Sequence, residues 1–168
     1  RYKSSRCSGS DMRSLTASDI KDLSLLKHYR IIRKWACKNN SLNDADLELL
    51  IYLDCIGLFS IKDFKQGTYS YSWDTRRWAK LIDNEWVVIW RKRNRSTQKH
   101  NLYQLSFKGK QLIKRIYRIM LGEEDLPTSI RRNKLIAGKS YTDKVLSKAI
   151  ENVNKDKHRW LIKIMIVH

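Results

Sequence analysis

Apolar residues recur at three-residue steps from Ile20 through Leu23, Leu26, Tyr29 and Ile32 to Trp35, one stripe at helical spacing. Ser18 offers an N-cap, with Asp19 and Asp22 beside the positive helix end. The stripe predicts one helix of about five turns, ending around Lys38–Asn40. A second helix is expected from Asn43, with Asp44 and Asp46 in its first turn, a core face of Leu47, Leu50, Ile51 and Leu53, and a stop at Gly57. Ser60-Ile61-Lys62-Asp63 has capping-box spacing and predicts a third, short helix. Gly67-Thr68 reads as a turn, and Ser70 or Ser72 caps a fourth helix running to about Asn84. Three short helices in succession, the last two joined by a tight turn, match the order of a helix-turn-helix.

From Trp86 the period changes. Trp86-Val87-Val88-Ile89-Trp90 is rich in β-formers, residues 93–99 are polar, and His100 to Ser106 alternates around Leu102, Tyr103 and Leu105. This is the pattern of a β-hairpin. Ser106 then caps a helix to about Leu121, with Phe107, Leu112, Ile113, Ile116, Tyr117 and Met120 apolar. Gly122 and Pro127 mark a break around Glu123-Glu124-Asp125. A last helix is expected from Thr142 to Asn154, and the tail from Trp160 to Val167 reads as a strand or docked segment. No internal repeat is visible. The expected fold is mainly α with a small β-hairpin wing, a winged helix-turn-helix flanked by N- and C-terminal helices. Residues 1–17 would form a flexible basic arm, 18–121 the winged domain, and 122–168 a C-terminal helix and tail for dimerisation or docking. The chain opens on Arg1, so further N-terminal residues are expected in the complete protein.

Charge turns this outline into a functional expectation. The formal net charge is +18 and the pI is near 10.0. Trp86 to Gly122 carries ten lysines and arginines and no carboxylate. Apolar residues interleave with them, and at 42% hydrophobic content the chain can bury a substantial core. A folded surface of one sign points to a polyanion, with double-stranded DNA as the first partner to consider.

In a winged helix-turn-helix the second short helix enters the major groove and the hairpin reaches the flanking backbone or minor groove. Arg76, Arg77 and Lys80 fall on that helix at i, i+1 and i+4, so the two arginines cannot both face the groove squarely. Ser72 and Thr75 at its start complete the expected set. Arg91, Lys92, Arg93, Arg95 and Lys99 populate the hairpin, with Asn94, Ser96, Thr97 and Gln98 as neutral hydrogen-bonding groups. Tyr69, Tyr71, Trp73, Trp78, Trp86 and Trp90 are expected mainly in the core, with base stacking as the alternative.

Other chemistry finds little support. Cys7, Cys37 and Cys55 form no C-x-x-C pair and leave one unpaired under any disulfide scheme, which suggests a reducing compartment. Cys37 and Cys55 sit in apolar helical patterns and read as small core residues. His28, His100, His158 and His168 lack metal-ligand spacing, so no metal or cofactor is expected. No phosphate loop, H-E-x-x-H or G-x-S-x-G occurs, and no catalytic residue is expected. No apolar run approaches the roughly 18 residues of a membrane span, so the expected setting is cytoplasmic, or virion-associated if the source is viral.

The stretch Leu81-Ile82-Asp83-Asn84-Glu85-Trp86-Val87, the basic hairpin, and Leu105-Ser106-Phe107-Lys108-Gly109-Lys110-Gln111-Leu112 together resemble the MarR family of transcription regulators. Ser106, Gly109 and Leu112 match that family's L-T/S-x-x-G-x-x-L helix start. The chain departs from the family in having Glu85 where glycine is common, so that Asn84 would supply any left-handed residue. It also has Arg95-Ser96-Thr97 in place of an acidic wing residue, and Asp74 and Arg77 at apolar positions. The resemblance implies a homodimer through the first helix and the last two helices, and an inverted-repeat site about one DNA turn apart. It further implies hairpin arginines in narrow A·T-rich minor grooves. Ligand-responsive members bind small molecules between the dimer helices and the DNA-binding lobe; nothing in this sequence shows such a pocket.

A competing expectation uses the same scaffold without regulation. The excess charge, the arm cations Arg1, Lys3, Arg6 and Arg13, and the altered recognition helix suit an architectural or virion nucleoprotein component. Such a component would assemble with nucleic acid or with protein partners.

Overall fold

A computed structural model of the chain describes residues 16–22, 26–67, 75–94, 96 and 100–167, and the side chains among them except those of 19, 22, 67, 75 and 157–167. The elements are α1 (Ala17–Asp22), α2 (Tyr29–Asn40), α3 (Asp44–Ile56), α4 (Ile61–Gly67), α5 (Thr75–Asp83), β1 (Val87–Arg91), β2 (Leu102–Leu105), α6 (Phe107–Met120), a 3-10 turn (Lys134–Ile136) and α7 (Tyr141–Val167). The chain is mainly helical with one small antiparallel sheet, β1 paired with β2.

The predicted five-turn first helix is instead two helices. Residues 26–28 form a turn, with Tyr29 N donating to Leu26 O. Among the described residues of the stripe, Ile32 and Trp35 are buried, whereas Ile20 and Leu26 are 41% and 73% exposed. Periodicity alone does not hold a helix that has nothing to pack against. Ser18 accordingly lies inside α1 rather than capping it.

The next caps form as expected. Asn43 accepts a 2.7 Å hydrogen bond from Asp46 N, and Gly57 ends α3 with φ of 85°. Ser60 and Asp63 close a reciprocal box, in which Ser60 N and Oγ both donate to Asp63 Oδ2 and Asp63 N donates back to Ser60 Oγ. These bonds hold the Asp63 carboxyl below its ordinary value, the backbone donation from Ser60 foremost. Ser70 and Ser72, the expected caps of the fourth helix, and Thr68 of the turn before it lie outside the described residues.

α5 leads into β1 through a tight turn, where Trp86 N donates to Leu81 O at 2.8 Å. The left-handed residue here is Glu85 itself, φ 57°, and not Asn84. The turn therefore requires a left-handed residue, which this chain supplies with a strained glutamate. The signature at the start of α6 has an equally local cause. Ser106 Oγ accepts from Gly109 N at 3.2 Å, and a Cβ on Gly109 would stand 3.3 Å from Trp86 O. Glycine lets α6 close onto the entry of the hairpin.

The hairpin register pairs Val87 with Leu105, Val88 with Gln104 and Ile89 with Tyr103, but then Arg91 with Leu102. Trp90 is thus the extra residue of a bulge. Phe59 adds a single antiparallel bridge to Tyr103, each backbone N–H donating to the other's carbonyl.

One core runs through α2, α3, α5, the hairpin, α6 and α7, from Ile32 and Trp35 to Ile150 and Val153. Cys37 belongs to it, while Cys55, expected inside, is exposed. The tail, expected as a strand or docked segment, is a continuation of α7, which runs unbroken from Tyr141 to Val167. Its start is capped by Ser140 and Asp143, and Asn154 clamps Leu126 by accepting from its N and donating to its O, both at 3.0 Å.

Candidate nucleic-acid interface

An aromatic cluster sets the geometry of the basic surface. Trp78 on α5 meets Phe64 on α4 at 4.6 Å and Tyr103 on β2 at 4.9 Å between ring centroids, and Phe59 stacks on Tyr103 at 6.4 Å. Large rings in mutual contact fix α4, α5 and the hairpin as one unit. Trp78 therefore belongs to packing. Trp86 does too: it is 2% exposed, with Lys108 Nζ 4.0 Å from its ring centroid. Lys108 Nζ also donates to Asn84 O, bracing the turn between α5 and β1.

The three cations expected on α5 separate. Arg76 is exposed. Arg77 turns inward, its Nε 3.1 Å from Oδ1 of Asp46, and Lys80 Nζ lies 3.1 Å from Oδ2 of the same carboxylate. Asp46 is 1% exposed, Arg77 17% and Lys80 46% by side chain. The Arg77 contact is an ion pair without hydrogen-bond alignment, and Asp46 Oδ1 and Arg77 Nη1 are buried without a hydrogen-bond partner. Sequence spacing cannot reveal this, because Asp46 lies on α3, far along the chain. Thr75 opens α5, and Ser72 lies outside the described residues.

On the hairpin, Arg91, Lys92, Arg93 and Asn94 are all exposed. The tip is held by Arg93 N donating to Asn101 Oδ1 at 2.6 Å, by Asn101 Nδ2 donating to the Tyr103 hydroxyl, and by Ser96 donating from N and Oγ to Asn94 Oδ1. The hairpin cations thus project from a tip tied back to the aromatic cluster. Arg95 and Lys99 lie outside the described residues.

The structure adds residues that the sequence reading missed. A cleft of about 440 Å³ between α4 and the hairpin tip is lined by Ser60, Lys62, Lys65, Arg93, His100 and Asn101. Its charged side chains are all basic, a suitable seat for an anionic oxygen. The signal in the sequence was the i, i+3 pair Lys62 and Lys65 on the short helix, two residues from the cap that was identified. Trp90, expected mainly in the core, is instead 48% exposed, at the bulge of β1.

Among the described residues, no three His, Cys, Asp or Glu side chains gather as a metal site, and no helix is long and apolar enough to cross a membrane. Compared with known protein families, with curated proteins and with solved structures, the chain matches none.

Proposed function

We propose that the chain binds double-stranded DNA as a winged helix-turn-helix protein, a transcription regulator of MarR-like type acting as a homodimer through its first and last helices. The observation that carries this reading is the arrangement of α4, α5 and the hairpin around the Trp78–Phe64–Tyr103 cluster. It presents Arg76, Lys62, Lys65 and Arg91 to Arg93 from one rigid unit. In this reading α5 enters the major groove, and the hairpin and the α4 cleft grip phosphates on either side. Phosphate contacts supply most of the affinity, as a net charge of +18 favours.

One observation favours a second reading, the architectural or nucleoprotein component. Arg77 and Lys80, two of the three cations expected to read bases from α5, are engaged with Asp46. Fewer base-reading groups mean affinity with little sequence preference.

Selection from random duplex DNA at roughly physiological salt separates the two. An enriched inverted repeat, with half-sites about ten base pairs apart, establishes the dimeric regulator. Retention without enrichment establishes the architectural reading. Absence of retention overturns both.

A further inference from the structure

Strand β1 begins with Val87 buried and Val88 half-buried, but Ile89, Trp90 and Arg91 are then all exposed. An intact ladder would send alternate side chains to opposite faces. The bulge breaks this alternation and leaves Trp90 without a partner on β2. Ile89 and Trp90 are 47% and 48% exposed, whereas Trp35 and Trp86 are 1% and 2% exposed. The Trp90 ring makes no aromatic or cation–π contact among the described residues. The fold thus leaves a large apolar ring about half exposed directly before three exposed cations, Arg91, Lys92 and Arg93.

We propose that Trp90, backed by Ile89, is a wedge that stacks on a base of duplex DNA and partly opens a base step. The inference rests on the DNA-binding reading above and names the contact that this surface makes. A base step offers a flat π face framed by phosphates; the hairpin offers a flat indole framed by cations. Apolar side chains inserted between base steps kink the duplex and allow more of the backbone to reach the protein. A neutral protein partner would leave the arginines and lysine unmatched. The wedge is indifferent to base identity, because every base has a π face, and it favours steps that unstack easily.

The test uses the full chain and A·T-rich duplexes of about three helical turns (10–10.5 bp each) carrying 2-aminopurine at successive positions, whose emission rises when the base unstacks. Wild type is expected to raise emission at one or two positions. W90F is expected to keep most of the rise. W90A is expected to lose it and to bind about tenfold more weakly, the order expected for one stacked base. R91A should weaken binding while keeping the rise, and thermal melting should show all variants folded. If wild type binds but W90A matches it in emission and affinity, the wedge is wrong and the DNA reading stands. If W90A changes only self-association, Trp90 covers a protein partner and the wedge is overturned. If wild type does not bind duplex DNA, the DNA reading falls and the wedge with it.

Discussion

Arg77 is tied to Asp46: the guanidinium Nε of the one lies 3.1 Å from a carboxylate oxygen of the other, across the interface between α5 and α3. A carboxylate 1% exposed is costly to keep charged unless cations stand beside it, and here Arg77 and Lys80 both do. The pair holds α5 in place, so two of its cations stabilise the surface proposed to meet DNA.

Removing one partner of a buried ion pair strands the other. Asp46→Ala should lower the unfolding free energy by about 3 kcal/mol, with Arg77 left uncompensated. Urea unfolding checks this. The charge-free pair Asp46→Leu with Arg77→Met should recover most of the loss, and full recovery by Asp46→Leu alone would show that the contact is incidental.

Glu85 holds a left-handed backbone, φ 57°, at the entry to the hairpin. Glu85→Gly should stabilise the chain by about 1 kcal/mol, since a side chain in that region carries a penalty of this order. Thermal melting reads it as a rise of a few degrees. A fall would mean that the Glu85 side chain makes a compensating contact.

The Ser60–Asp63 box gives stability with a defined pH dependence. Asp63 titrates below the ordinary carboxylate value when folded, so its contribution is present above the unfolded value of 3.8 and is lost as pH falls through the lowered one. Ser60→Ala should cost about 1 kcal/mol at neutral pH. The difference between wild type and variant should shrink in acid, measured as denaturation midpoints from pH 6 down to about 2.

The two described cysteines should differ in reactivity. Burial, together with its hydrogen bond to Asp44, pushes the Cys37 thiol up to about 12. In the unfolded chain it ionises near 9, so stability from this group is full below 9 and declines as pH rises toward about 12. Alkylation at pH 8, mapped by peptide mass, should therefore label exposed Cys55 rapidly and Cys37 only after denaturation. Equal rates would place Cys37 outside the core.

Phosphate contacts by the hairpin are measured by salt. Arg93→Ala should reduce the slope of log affinity against log salt by about 0.9, as should Lys62→Ala across the α4 cleft. Titrations on a short duplex at several salt concentrations read this out. An unchanged slope in both variants would remove the cleft from the interface.

Much of the outline was legible because its causes are local. The caps at Asn43, Ser60 and Ser106 each join residues three apart, and the hairpin follows from a change of period. What was hidden depends on distant neighbours. Leu26 repeats the stripe yet faces solvent, and Arg77 looks like a surface cation until Asp46 is seen beneath it. The α7 extension was hidden for a related reason: the alternation Ile162, Ile164, Ile166 mimics a strand, but the backbone continues the helix to Val167. Ring contacts such as Trp78 on Tyr103 join elements that the sequence could only place in order.

The bulge at Trp90 also has a genetic corollary. Side chains alternate along a strand, so loss of this one codon would bring Arg91 into line behind Ile89 and restore a regular ladder with Leu102 and Tyr103. The aromatic ring and the irregularity that displays it would vanish in a single in-frame step, with the scaffold beneath intact. Hairpins of this kind thus gain or lose an exposed ring by length variation alone, without any change at the residues that build the core.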